Sequence, residues 1–151
     1  MPDGPTSTPP TDRLVWIDLE MTGLSTARDE IVEIACIVTE ADLTEVDEGI
    51  SLVIQPSPEA WAGMDPFVVN MHEMSGLSAE VNDGITLEQA TAQVMDYITT
   101  HIPEARKAPL AGSSVYVDRM FLARYMPSID EYLHYRIIDV SSINGSSPCA
   151  R

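Results

Sequence analysis

The chain has 151 residues, is 44% hydrophobic, and carries 24 acidic against 8 basic residues, a formal net charge of −16; that length suits one domain with a substantial core. The charge excludes a protein that coats long polyanions, though not one that holds a short nucleotide through cations. No apolar run approaches the roughly 20 residues of a membrane helix, and Cys36 with Cys149 makes neither a disulfide framework nor a zinc site.

Residues 1–13, MPDGPTSTPPTDR, lack the apolar core of a signal peptide and read as a disordered leader, which makes the cytoplasm the default compartment. Leu14–Met21 is the first predicted strand. Its Asp18 and Glu20 lie two apart, so both side chains project from the same face. Two carboxylates side by side repel each other unless a cation lies between them, and a divalent metal is the usual answer. Acidic pairs also occur on solvated faces; here the flanking Leu14, Val15, Trp16 and Ile17 favour a strand buried in a sheet.

Ile31–Thr39 and Ile50–Gln55 are the next strands, and their short connections predict an antiparallel meander. A mostly irregular, Met-rich stretch follows, with a short helix around Pro66–Met74. A longer helix is expected over Leu87–His101, opened by the capping-box pair Thr86 and Gln89 and stopped by Pro103. Pro109–Gly112 reads as a short strand, Val117–Tyr125 as a helix, Ile129–Leu133 as a short helix and Tyr135–Val140 as a last strand. The fold class is α/β, a mixed sheet flanked by helices. Asp118 falls at the start of its helix, where an acid interacts favourably with the helix dipole; that placement is equally compatible with a metal-ligand role.

Four segments in order, WIDLEMTGL, MHEMSGL, PLAGSSVYVDRMFLARYMP and HYRIIDVSSI, resemble the oligoribonuclease family of DEDDh 3′-to-5′ exonucleases. The resemblance covers Leu14 to Ile143 and implies a ribonuclease H-like exonuclease fold. It makes Asp18, Glu20 and Asp118 the catalytic, metal-holding carboxylates for two ions, Mg²⁺ or Mn²⁺. It makes Leu24 a wedge against the bases, His72 a base-stacking histidine, and Phe67 an aromatic where many relatives have Trp. Ser114, Arg136 and Ser141 would grip the 5′ phosphate. Arg136 and Tyr135 would arrive from a partner subunit, implying a homodimer, and a closed 5′ end would restrict substrates to short RNA, chiefly dinucleotides.

Two departures stand out. Ser113 replaces an Asn usual in the family, and residues 144–151, NGSSPCAR, fall outside the resemblance. The family continues there with a helix and a His-x-x-x-x-Asp segment that supplies the general base and the fourth carboxylate. The expectation is therefore an exonuclease domain at 14–143 lacking its C-terminal helices, followed by a tail read out of frame. Loss of a positioned base costs about 10²–10⁴-fold. The rival expectations are a catalytically impaired remnant that only binds nucleotide and, less favoured, a proofreading-type DNA exonuclease.

Overall fold

A computed structural model of the chain describes residues 12–141. Most of the expected leader, Ile143, the 144–151 tail and Cys149 lie outside them. Alternating burial builds the first two strands. In β1 (Leu14–Met21) Val15, Ile17 and Leu19 turn inward, while Trp16, Asp18 and Glu20 take the other face. β2 (Ile31–Thr39) runs antiparallel to β1, pairing Asp18 with Ala35 and Glu20 with Glu33. β3 (Ile50–Val53) is antiparallel to β2 and ends earlier than expected; Ile54 still donates its N–H to the Val32 carbonyl of β2 at 2.9 Å while forming a parallel bridge with Ile85.

Helices fill the stretch expected to be mostly irregular. α1 (Pro58–Ala62) is capped by the Ser57 hydroxyl, α2 (Pro66–Ser75) by the Asp65 carboxylate, and each begins on a proline. α3 (Leu77–Glu80) and a 3₁₀ turn (Val81–Asp83) follow. α4 (Leu87–His101) matches its expected bounds, with the reciprocal Thr86–Gln89 capping box formed. After β4 (Leu110–Gly112) come α5 (Val115–Tyr125), α6 (Pro127–Tyr132) and β5 (Ile137–Asp139). Pro127 both ends α5 and opens α6, so the second helix begins two residues before its expected start.

The sheet order is β3-β2-β1-β4-β5, with β4 parallel to β1 and β5 parallel to β4. One large core joins the inward face of β1 and β2 to Ala90, Val94 and Ile98 of α4, Phe121 and Leu122 of α5, and Ile129 of α6. A smaller cluster of Val32, Leu77 and Val81, packed against Trp61, seats the α1–α3 layer. Arg13, assigned from sequence to the leader, is anchored instead: its guanidinium donates to the His101 carbonyl at 2.8 Å and pairs with Glu40 at 3.2 Å.

Asp47, in the β2–β3 connection, ties that hairpin to α4. It accepts from the Tyr97 hydroxyl at 2.7 Å and the Gly49 N–H at 2.9 Å, and meets His101 Nε2 at 2.9 Å. Those donors, Tyr97 foremost, hold its carboxyl below the usual range. A carboxylate so depressed stabilises the fold above its ordinary pKa and loses that contribution as pH falls through the lower one. Asp47→Asn is therefore expected to lower Tm at pH 7, with the deficit shrinking below about pH 4. A deficit in thermal melts that stays constant from pH 7 to pH 3 would contradict this.

Candidate active site

β1 presents Asp18 exposed and Glu20 half-buried, set between the buried Ile17 and Leu19. Asp118 comes to them from the first turn of α5 and is only 6% exposed. Its carboxyl pKa is pushed up to about 7 by burial first, then by the charge of Asp18, with smaller contributions from Glu20 and Asp139; the backbone of Leu19 opposes them through a hydrogen bond. Glu20 is raised in turn by burial and by Asp18. Acids from distant parts of the chain thus meet at one end of β1.

Glu33 joins this group and was not foreseen. It pairs directly with Glu20 across the β1–β2 ladder, and its pKa is raised by burial, Glu80 and Asp18. Like charges directly opposite on a sheet repel. The signal was the meander register, which places the two glutamates side by side once the turn between the strands is known.

Among the described residues no three His, Cys, Asp or Glu side chains are already drawn close enough to hold a metal ion. The donor chemistry nevertheless fits a hard divalent cation. All three groups are carboxylates, and the most buried of them, Asp118, is held toward its neutral form by burial first and then by the charge of Asp18. A cation among Asp18, Glu20 and Asp118 would remove that penalty.

The turn after β1 is built around Asp29, whose carboxylate accepts from the Thr22 hydroxyl and the Ser25 N–H, each at 2.9 Å. A Cβ at Gly23 would run into that carboxylate, so the Thr-Gly-Leu turn needs its glycine. The packed turn leaves Leu24 74% exposed. Beside it opens a cavity of about 790 Å³, lined among others by Leu24, Arg28, Ser57, Asp65 and Val68. None of the three carboxylates lines it. Phe67, on the first turn of α2 between two lining residues, is 75% exposed.

His72 departs from expectation. It is 1% exposed, its ring stacks on Trp61 with centroids 5.9 Å apart, and its Nε2 lies 2.8 Å from the Met21 carbonyl. No base can stack on a side chain so covered, because Trp61 takes the ring face and β1 takes the ring edge. In this conformation His72 braces the end of β1 just after Glu20.

Ser114 and Ser141 are brought together by Asp139, at the end of β5. One oxygen of Asp139 accepts from the Ser114 N–H at 2.9 Å, the Ser141 N–H at 3.0 Å and the Ser141 hydroxyl at 2.6 Å. Sequence reasoning missed this residue, since only the pairing of Asp139 with Gly112 next to the α5 turn reveals it. Tyr135 and Arg136 stand apart from that group. Tyr135 is 69% exposed and stacks on His134 at 4.4 Å, with the Arg136 guanidinium 5.9 Å from its ring. Both precede β5, which is shorter than its expected span and forms the edge of the sheet.

A family model for exonucleases matches residues 15–147. The oligoribonuclease of Leifsonia xyli is 52% identical over 133 residues, covering 88% of this chain and 64% of the relative. That of Tropheryma whipplei is 47% identical over 135 residues, covering 89% of this chain and 72% of the relative. The chain thus spans about two-thirds of the length of these relatives. Among solved structures, the nuclease domain of 3′hExo, described as a DEDDh family member bound to rAMP, superposes with a TM-score of 0.61 at 17% identity, over 90% of this chain and 68% of that one. Exonuclease I of E. coli in complex with a dT13 oligonucleotide gives 0.61 at 15% identity, over 89% and 29%. The mixed β3-β2-β1-β4-β5 sheet with its flanking helices is the fold of these exonucleases. Family match, half-identity to oligoribonucleases and shared fold together assign this chain to the exonuclease family, on its oligoribonuclease branch.

Proposed function

We propose that this chain carries the active site of a 3′-to-5′ exoribonuclease that degrades short 5′-phosphorylated oligoribonucleotides, chiefly dinucleotides, to mononucleotides. The observation that carries the reading is the meeting of Asp18, Glu20 and Asp118, whose charges bear on one another. On this reading residues 14–143 form the exonuclease domain, and the three carboxylates hold two divalent ions, Mg²⁺ or Mn²⁺. Such ions, when bound, lower the pKa of water and neutralise charge on phosphoryl oxygens.

The chain's other residues bind and orient the substrate. Leu24 and Phe67, solvent-facing near the cavity, meet the bases by apolar and stacking contact. His72 is a positioning residue that braces β1. Ser114, Ser141 and Arg136 enclose the 5′ phosphate, where a planar guanidinium can offer paired N–H groups. Outward-facing Tyr135 and Arg136 suit delivery into a second copy of the chain, hence a homodimer. An end closed around the 5′ phosphate explains how a chain of net charge −16 accepts RNA: little backbone lies along its surface.

One observation favours a second reading, nucleotide binding without turnover. None of the three histidines hydrogen-bonds to a carboxylate oxygen of Asp18, Glu20 or Asp118, although His72 lies near enough to Glu20 to act on its charge: His72 is held on Met21, His101 on Asp47, and His134 on Tyr135 and the Arg136 N–H. The test is turnover of a 5′-phosphorylated RNA dinucleotide with Mn²⁺, for the wild type and for Asp18→Ala. Mononucleotide formation that disappears in the variant supports the exoribonuclease. Binding without product favours the second reading, and neither binding nor product overturns both.

A further inference from the structure

We infer that Asp139 is a positioning residue for the metal site: it fixes the N-terminus of α5, and through it Asp118, against β1. The inference rests on the reading of Asp18, Glu20 and Asp118 as cation ligands. It starts from an omission in α5, whose own N-cap residue, Ser114, makes no side-chain capping bond and sits in the left-handed region at φ 51°. A helix start of that kind leaves N–H groups without an internal partner. The partner comes from a different element altogether.

Asp139 ends β5, and its Cα pairs with Gly112, the last residue of β4 and two before Ser114. The Val140 N–H donates to the Gly112 carbonyl at 2.9 Å, closing the same corner. From there the Asp139 carboxylate accepts the Ser114 N–H and is faced by that of Val115, so a strand carboxylate does the capping that Ser114 omits. The Ser141 hydroxyl, at 2.6 Å, and the Ser141 N–H hold the carboxylate in place from behind. Charge-assisted bonds of this kind are short and strong. They also depress the Asp139 carboxyl below the usual range, with Ser141 the first cause, so it stays ionised as a cap must.

Asp118 lies four residues along α5 from Ser114, one turn into the helix that this corner anchors. Release of the cap would let the first turn fray, and Asp118 would lose its fixed approach to Asp18. Partners that orient metal ligands from outside typically cost 10–100-fold in cation affinity when removed.

The experiment is a Mn²⁺ titration followed by thermal melting of the whole chain. The wild type is expected to gain Tm with Mn²⁺, and Asp18→Ala to lose that gain. Asp139→Asn is expected to raise the half-saturating Mn²⁺ concentration about tenfold or more. Ser141→Ala, which keeps the charge and removes the support, is expected to shift it in the same direction by less. Tyr132→Phe, which removes a hydrogen bond to Ile102 on the α4–α6 face, controls for general destabilisation and should leave half-saturation unchanged. A wild type that ignores Mn²⁺ sinks the cation reading and this inference together. Unchanged half-saturation in Asp139→Asn overturns the inference alone. A shift in Asp139→Asn with none in Ser141→Ala also overturns it, since charge at a distance would then account for the effect.

Discussion

Asp118→Asn is expected to make the cation-free protein more stable while removing its response to Mn²⁺. At pH 8 in EDTA the native Asp118 is a nearly buried carboxylate whose pKa of about 7 reflects burial and the charge of Asp18. A raised carboxyl pKa means that the ionised group destabilises the fold, a penalty absent below the unfolded value and complete above the folded one. The rise from 3.8 to about 7 corresponds to at most about 4 kcal/mol at 1.36 kcal/mol per unit. Solvent reaching the half-open site reduces that figure, so a gain of several degrees in Tm is expected. With saturating Mn²⁺ the order should invert: the wild type gains stability by mass action and the variant, short of one hard donor, gains little. Whatever turnover the wild type shows should fall by roughly two to three orders of magnitude. A variant whose cation-free Tm equals that of the wild type, or whose Tm climbs with Mn²⁺ as steeply, contradicts the placement of Asp118 among the ligands.

How far the fold could be read from residues depended on element length. β1, β2 and α4 match their expected spans because each is long enough to display a period. Ile31–Thr39 alternates buried and half-buried positions along most of its length, and Leu87–His101 carries both an apolar stripe and a capping box. Three-residue strands carry no period: β4 was located only by its apolar Leu-Ala-Gly and the turn after it, and β5 was overextended into Tyr135 and Arg136. The five residues of α1 went unread although Ser57-Pro58 carries the same cap-then-proline pattern as Asp65-Pro66. There the missed signal was present in the sequence.

The site divides along a different line. Asp18 and Glu20 were legible because strand geometry fixes the relation of residues two apart. Asp118 needed the family resemblance, since a first-turn acid is equally a helix-dipole partner. Glu33 and Asp139 depended on register. Each acts on a residue distant in sequence, Glu33 on Glu20 across a ladder and Asp139 on Ser114 across a parallel pair. His72 illustrates the converse, a residue whose type suggests stacking on a ligand but whose neighbour, Trp61, already covers it.

Phe121→Ala is expected to be the most damaging single truncation in α5, for a reason that links the core to the carboxylates. Phe121 lies three residues after Asp118, is fully buried in the main core, and stacks on Tyr125 with centroids 6.2 Å apart. Tyr125 in turn donates its hydroxyl to the Asp29 carbonyl at 2.6 Å, fastening the far end of α5 to the turn that carries Leu24. Removing a buried Phe side chain costs about 3–5 kcal/mol in lost burial and residual cavity, a large part of the roughly 5–15 kcal/mol that holds a domain together. Tm should fall by about 10–20 °C. Phe121→Leu, which keeps most of the volume, should cost under about 1.5 kcal/mol. Met120→Ala, one residue away but exposed on the same helix, should stay within about 0.5 kcal/mol of the wild type. Thermal melts of the three variants decide the matter. If Phe121→Ala melts with Met120→Ala, α5 is not seated by this side chain, and the approach of Asp118 to β1 must be fixed by the Asp139 corner alone.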